Sequence, residues 1–217
     1  MKSDLHIHPL GDKYSDNIWI DDLSKVVLDD EDKRRIRTVV DWCCNDGDRG
    51  LDTIALTDHD MIQSSLYAAE YVRQTDLPIK IIPGAECTVC NTNPEVPPGK
   101  DEVHLLCLGI NELPAYRVRR TSVPKMIHAV HELGGFVIMS HPIDYPWSFR
   151  SYWHLLDGYE YRNSHRLPFD EGKQIVGSRA LPVAFCNSDF HYFGGDLPAA
   201  NYDNLNSNYY EADALRG

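Results

Sequence analysis

Short apolar runs recur along the chain, and most of them are flanked by a histidine or a carboxylate. Each run is rich in β-branched, aromatic or long aliphatic residues, which predicts a buried strand. The predicted strands are residues 4–7, 53–56, 79–82, 103–108, 136–139, 158–161 and 183–185. Helical patterns lie between several of them, one beginning near Asp30 and others at residues 64–74, 123–133 and 169–176. This alternation predicts a parallel sheet, and seven strands in 217 residues favour a small barrel.

One connection departs from the strand–helix alternation. Residues 87–101 are rich in asparagine, proline and glycine, so we expect a loop there and a hairpin between the flanking strands. A hairpin distorts a regular barrel. The predicted fold class is α/β, a distorted seven-stranded (β/α)7 barrel in a single domain of residues 1–193. Residues 194–217 are rich in Asn, Asp and Tyr and are predicted to form an irregular polar tail.

Side chains that bind metals follow one predicted strand after another. In parallel barrels the carboxyl ends of the strands converge, and in a strand the spacing His-x-His places both imidazoles on one face. A lone histidine at a strand end is usually structural, but eight ionisable groups gathered at one end are costly to bury unless they are paired or bind metal. The sequence therefore favours a metal site built from His6, His8, His59, Glu86, His104, His141, Asp189 and His191. The other four histidines do not follow this register: His128, His131, His154 and His165.

An ordered series of motifs resembles the PHP (polymerase and histidinol phosphatase) superfamily. The motifs are DLHIH, ALTDHD, PGAE, EVHLLCLG, HELGGFVIMSHP, LLDGYEYRN and NSDFH, and they cover the chain as far as His191. The resemblance implies a distorted seven-stranded β/α barrel that carries up to three divalent metal ions. The resemblance further implies that the chain is a stand-alone PHP domain that acts as a metal-dependent phosphoesterase.

The resemblance also implies a ligand set for each metal. The first set is His6, His8, Glu86 and Asp189, and Glu86 bridges to a second metal that also takes His104 and His141. The third metal takes His59, His191 and one residue from the loop after the first strand, for which both Asp12 and Asp16 are candidates.

Mixed imidazole and carboxylate ligands suit zinc, manganese or iron. Such a centre activates water to hydroxide and clamps a phosphoryl group, so we expect phosphate-ester hydrolysis with metal-activated hydroxide as the nucleophile. Asp58 and Asp60 flank His59 and are expected either to orient it or a water, or to form the turn before a helix with Asp60 as its N-cap. His191 or a water is a candidate to protonate the leaving group.

Substrate contacts are expected from basic residues beyond the sixth strand. Arg162 and Arg166 are candidates for phosphate recognition, and His165 is a weaker candidate. The run Arg117, Arg119 and Arg120 is expected on the opposite rim as a solvated surface.

Charge and composition limit the class of function. The net charge of −12 disfavours binding to long nucleic acid, so a small phosphomonoester such as histidinol phosphate or a nucleotide phosphate is the expected substrate. An exonuclease or phosphodiesterase acting on short oligonucleotides is the alternative, and a metal-dependent amidohydrolase, for which Lys80 is the nearest strand lysine, is a further one. A domain without catalysis is disfavoured because the ligands are all present.

The expected location is the cytoplasm. The chain contains six cysteines without a regular framework, and its first residues do not resemble a signal peptide. No apolar run is long enough to predict a membrane span, and no pattern indicates the oligomeric state. The lone motif Cys87-x-x-Cys90 favours two ordinary thiols over a zinc or redox site.

Overall fold

Strands and helices alternate along the computed structural model, which describes residues 2–14, 26–45, 50–94, 96–164 and 166–194. The strands in these residues are β1 (Ser3–His8), β2 (Thr53–Leu56), β3 (Lys80–Ile81), β4 (Gly84–Cys90), β5 (Glu102–Leu108), β6 (Phe136–Met139), β7 (Gly158–Asn163), β8 (Val183–Asn187) and β9 (Phe190–His191). The α-helices are α1 (Asp30–Asn45), α2 (Gln63–Thr75), α3 (Val123–Glu132), α4 (Pro146–Tyr152) and α5 (Asp170–Val176). Short 3-10 turns occupy Pro142–Asp144 and Trp153–Leu155.

The strands of the described residues form two sheets. The first has the order β3-β2-β1-β9 with parallel neighbours, and the second has the order β4-β5-β6-β7-β8. In the second sheet β5 runs antiparallel to β4 and β6, whereas β6, β7 and β8 are parallel. The α/β class and the single domain agree with the sequence prediction. The distorted seven-stranded barrel is not confirmed, because the described strands number nine and form two sheets.

Two strands, β4 and β9, lie outside the predicted ones, and this accounts for the difference in number. The predicted third strand of residues 79–82 contains β3, and Pro83, which has no amide hydrogen, separates β3 from β4. β3 then pairs with β2, while β4 pairs with β5. The predicted last strand of residues 183–185 lies within β8, which ends at Asn187, and Asp189, whose φ of 56° is incompatible with an extended strand, comes before β9. β9 pairs with β1.

The predicted hairpin is confirmed. β4 and β5 pair antiparallel over their full length, with Thr88 opposite His104 and Glu86 opposite Leu106. The expected start of the connecting loop at residue 87 is wrong, because the backbone hydrogen bonds of the hairpin continue to Cys90. His104 therefore lies two residues from the partner of Glu86, on the same face of the sheet.

The two sheets meet at the carboxyl end of β2. A parallel bridge joins His59 to Glu86, in which the Glu86 amide donates to the Thr57 carbonyl at 3.2 Å and the Asp60 amide donates to the Glu86 carbonyl at 2.8 Å. At the other junction the Leu5 amide donates to Oδ1 of Asn187 at 3.1 Å. The ends of β1 and β2 thus lie beside Glu86.

Apolar side chains between the two sheets pack beneath the strand ends that lie beside Glu86. The interior cluster consists of Leu5, Ala55, Leu106, Leu108 and Ile138. Larger clusters lie outside the sheets, one under α1 and α2 and another under α3, α4 and α5. Because alternate residues of a strand point to opposite faces, His104 shares the interior face of β5 with Leu106.

The predicted helices agree with α2, α3 and α5 to within about two residues at each end. The sequence did not indicate α4, a single short helix that begins at Pro146. The predicted tail of residues 194–217 lies outside the described residues after Gly194. Among the helices that are described, none has the length and apolar character that crossing a membrane requires.

Candidate metal centre

A buried carboxylate in β4 lies at the centre of the histidines. Glu86 is 0% exposed, and an imidazole nitrogen of each surrounding histidine lies 3.1–3.4 Å from one of its oxygens. Oε1 faces His6, His104 and His141, and Oε2 faces His8 and His59. The six residues come from both sheets and are brought together in one place, as the sequence predicted.

β1 contributes two of these imidazoles. His6 and His8 are fully buried, and their ring centroids are 4.9 Å apart. The spacing of two residues places both rings on the same side of the strand, as expected. The ring of His8 also stacks on His191 at 4.1 Å and on His59 at 4.6 Å.

Asp189 adds a second carboxylate to the cluster. Its Oδ1 lies 3.2 Å from Nε2 of His6 and 3.4 Å from Nε2 of His8. Asp189 has a positive φ of 56°, and so does His141, at 26°. Non-glycine residues in this region are strained and persist where the surrounding structure holds them, which is common at functional sites.

Several polar atoms at the centre of the cluster are buried and make no hydrogen bond among the described residues. They are Nε2 of His6, both ring nitrogens of His8, both carboxylate oxygens of Glu86 and Nδ1 of His104. Buried polar atoms are normally satisfied, so a convergent group of this kind requires an explanation. Imidazole nitrogens and carboxylate oxygens are the donor set that zinc, manganese and iron accept, and their convergence fits divalent cations.

Three groups have ligand atoms that all lie within 4.8 Å of one another. They are His6, His8 and Glu86; His59, Glu86 and His104; and His8, His59 and His191. These groups overlap with the ligand sets that the resemblance implies. They differ in placing His59 beside His104 and His8 beside His191, while His141 remains 3.4 Å from Glu86.

The loop after β1 brings one predicted ligand to the centre. Oδ1 of Asp12 lies 3.5 Å from Nε2 of His191. Asp16, the other candidate, lies outside the described residues.

The charged groups of the cluster strongly shift one another's pKa values. Burial acts to raise the pKa of Glu86, but His6, His104 and His59 hold it well below its ordinary value. Burial acts to lower the pKa of His8, but Asp189 and Glu86 raise it to about 9. Burial also opposes the charged form of His104, and Glu86 and Glu102 together raise its pKa to about 10. Without a cation, these imidazoles therefore hold protons at neutral pH.

Two imidazoles at the rim of the cluster have pKa values that are lowered and not raised. Burial lowers the pKa of His59 to about 3, and burial together with the nearby His8 lowers the pKa of His191. Both rings are therefore neutral near pH 7, which suits a metal ligand and disfavours His191 as the proton donor to a leaving group.

The two aspartates that flank His59 direct their hydrogen bonds away from it. Oδ1 of Asp58 accepts from the Leu10 amide at 3.0 Å, which anchors the loop after β1. Oδ1 of Asp60 accepts from the Thr88 amide and from the Tyr116 hydroxyl, both at 2.6 Å. The alternative that made Asp60 a helix N-cap is wrong, because α2 begins at Gln63 and its N-cap is Ile62.

The structure brings Arg166 to the cluster. Its guanidinium donates to Asp189 at 2.9 Å and to Asp144 at 2.6 Å, and Asp144 in turn lies 3.1 Å from Nδ1 of His141. Arg162 was expected beyond a strand but lies inside β7, partly exposed. His165 lies outside the described residues.

The basic run was expected on the opposite rim, and for Arg119 this is wrong. Arg119 pairs with Glu102 at 2.7 Å, and Glu102 lies 3.3 Å from His104, so Arg119 is on the same rim as the histidines. The hairpin explains this position, because the Arg119 amide donates to the Thr88 carbonyl opposite His104.

The sequence did not predict four polar residues behind the candidate ligands. Three of them contact ligands and Asn187 contacts Glu160; the four are Glu160, Asn163, Asn187 and Asp144. Glu160 is 1% exposed in β7, and its carboxylate lies 2.8 Å from Nδ1 of His6. A signal for it was present, because an acidic residue inside a predicted buried strand needs a partner. Burial acts to raise the pKa of Glu160, and His6 holds it below its ordinary value.

Comparisons with known proteins concern the fold. No family model and no curated protein matches the chain. A structure from Bifidobacterium adolescentis, to which metal-dependent phosphoesterase activity is ascribed, is 16% identical with a TM-score of 0.58, covering 99% of this chain and 94% of that chain. An amidohydrolase structure from Chromobacterium violaceum, with bound sulfate and no metal, is 16% identical with a TM-score of 0.56, covering 96% of this chain and 97% of that one. The chain therefore shares its fold with these two proteins.

Proposed function

We propose that the chain is a metal-dependent phosphoesterase of the PHP type that hydrolyses a small phosphomonoester. The observation that carries the proposal is the convergence of five imidazoles on the buried carboxylate of Glu86. Ligand atoms of His6, His8, Glu86 and His104 make no hydrogen bond among the described residues. The shared fold with a protein to which this activity is ascribed supports it.

The residues fit divalent cations in a multinuclear arrangement, with Glu86 as the shared ligand. His6, His8 and Asp189 would hold one ion, His104 and His141 a second, and His59, His191 and Asp12 a third. When bound, divalent cations supply Lewis acidity, which polarises a phosphoryl oxygen and lets water lose a proton near neutral pH.

The chain itself contributes charge and geometry. Arg166 donates to Asp189 and Asp144, so it fixes two carboxylates beside the ligands, and its side chain is partly exposed. We propose that Arg166, with Arg162, recognises the phosphate of the substrate. Asp58 and Asp60 act by anchoring the loop after β1 and the hairpin strand.

The substrate is proposed to be a small phosphorylated metabolite or nucleotide, with short oligonucleotides as the alternative. The acidic charge of the chain disfavours long nucleic acid. The amidohydrolase alternative has the support of one fold neighbour. It is weakened because Lys80, which it would use to bridge metals, is exposed at the start of β3, whereas Glu86 lies at the centre.

The test is a substrate screen on protein loaded with manganese, iron or zinc. We expect hydrolysis of phosphomonoesters, and its loss with EDTA. The screen includes phosphorylated metabolites, dinucleotides, short oligonucleotides, amides and carbamates. Turnover of oligonucleotides or of amides alone would favour the corresponding alternative, and a metal-loaded protein that cleaves no phosphate ester would refute the proposal.

A further inference from the structure

Glu160 is a buried carboxylate beneath the candidate metal centre, and its four hydrogen-bond partners are all donors. Oε1 lies 2.8 Å from Nδ1 of His6 and accepts from Nδ2 of Asn187 at 2.9 Å. Oε2 accepts from the His141 amide at 2.8 Å and from Nδ2 of Asn163 at 3.1 Å. Its acceptor positions are therefore occupied by protein donors, and Glu160 is not itself placed as a metal ligand.

The orientation of these partners is fixed by their other contacts. Oδ1 of Asn187 accepts from the Leu5 amide at 3.1 Å, so its amide nitrogen faces Glu160. An ionised carboxylate only accepts hydrogen bonds, so Nδ1 of His6 carries hydrogen whether the ring is neutral or cationic. The atom left for a cation is Nε2, which lies 3.2 Å from both Glu86 and Asp189.

The same carboxylate holds His141. The amide that donates to Oε2 belongs to a residue with φ of 26°, a conformation that needs support from its surroundings. Asn163, bound to Oε2, also donates to Oδ2 of Asp189 at 3.1 Å. Glu160 thus connects ligands on β1, after β6 and after β8.

We propose that Glu160 is a positioning residue for the metal centre: it keeps hydrogen on Nδ1 of His6, directs Nε2 at the cation and fixes the His141 backbone. The inference rests on the proposed function only in assuming that the histidines bind a divalent cation. Outer carboxylates that orient ligand histidines are worth roughly 10–100-fold in metal affinity.

The substitution Glu160→Gln tests this with almost no change of shape. Whichever way the amide turns, its NH2 group faces one of the two donor pairs, so one pair loses its acceptor. We expect Zn²⁺ affinity, measured by isothermal titration calorimetry, to fall roughly 10–100-fold. The Nδ1–H resonance of His6, assigned by its absence in His6→Ala, is expected to move upfield because its acceptor loses its charge.

Asp157→Asn is the matched control. Oδ2 of Asp157 accepts from Nε2 of His131 at 2.8 Å and from the Val137 amide at 2.7 Å, a similar carboxylate–histidine pair away from the metal centre. We expect it to change thermal stability and leave Zn²⁺ affinity as in the wild type. Equal losses of affinity in the two variants would mean a merely structural role and would overturn the proposal.

Wild-type Zn²⁺ affinity and an unmoved Nδ1–H resonance in Glu160→Gln would also overturn it. If that variant does not fold, Glu160→Asp is the second test. It keeps the negative charge, but its shorter side chain places the carboxylate farther from His6. The proposal requires that Glu160→Asp bind Zn²⁺ more weakly than the wild type. Phosphatase activity is not a readout here. A chain that binds Zn²⁺ in a Glu160-dependent way and cleaves no phosphate ester would refute the proposed function and leave this inference standing.

Discussion

At the scale of single residues, the candidate centre is organised around Glu86. Its two oxygens face different sets of imidazoles, so one side chain is positioned to be shared between neighbouring cations. The surrounding residues then divide into possible ligands, such as His141, and outer partners that hold them, such as Asp144. Substitution of a ligand and substitution of an outer partner are therefore expected to have different effects on metal binding.

Replacing one of the proposed ligands is expected to remove metal as well as activity. We expect His141→Ala and, separately, Asp189→Ala to lose at least one equivalent of bound metal together with hydrolysis, measured by elemental analysis and by assay. His128→Ala is the control, because His128 is an exposed histidine on α3, with 76% of its side chain accessible. A folded Asp189→Ala variant that keeps full metal content would contradict the ligand assignment.

Metal affinity is expected to rise with pH. Cations bind neutral imidazole, so protons on His8, with a pKa of about 9, and His104, with a pKa of about 10, compete with the metal below those values. Raising the pH from 6 towards 9 weakens this competition, so binding tightens, and each binding event still releases protons. Calorimetry in buffers of different ionisation enthalpy measures that release, and binding without proton release would argue against these two ligands.

At the scale of elements, the hairpin of β4 and β5 contributes to both the candidate metal centre and the interior apolar cluster. Glu86 and His104 lie at the centre, and Leu106 belongs to the cluster. Glu86 and His104 point to the same interior as Leu106, which is fully buried. Packing below the ligands therefore depends on the same strand that presents His104.

Leu106→Ala is expected to destabilise the fold by about 2–5 kcal/mol, because it leaves a cavity in a fully buried position. Leu181→Ala is the control, since Leu181 is 56% exposed, and we expect a change within about 0.5 kcal/mol. Denaturant unfolding followed by circular dichroism measures both. Equal stability of the two variants would contradict the assignment of Leu106 to the interior cluster.

At the scale of the whole molecule, the centre joins the two sheets. His6 and His8 belong to the four-stranded sheet, and Glu86 and His104 belong to the five-stranded sheet. A cation held by both groups stabilises the folded state relative to the unfolded chain by linkage.

Chelation should therefore lower stability. At a metal concentration of 100 times the dissociation constant, binding contributes about 2.7 kcal/mol, and EDTA removes this contribution. Thermal unfolding with and without EDTA measures the effect. With EDTA, backbone amides at the ends of β1 and β4 should lose protection against hydrogen exchange. An EDTA shift of wild-type size in His141→Ala would indicate that the stabilising ion is bound elsewhere.

The sequence by itself determined the class of the fold and the residue types at the centre. Strand periodicity is local, so His6 and His8 on one face, the hairpin and helices α2, α3 and α5 were all predictable. Only the tertiary structure decided that β3 pairs with β2 and that β9 pairs with β1, because Pro83 and the positive φ of Asp189 separate these strands from β4 and β8. It also decided the role of Glu160, because its contact with His6 joins residues 154 positions apart, and no local pattern encodes such a distance.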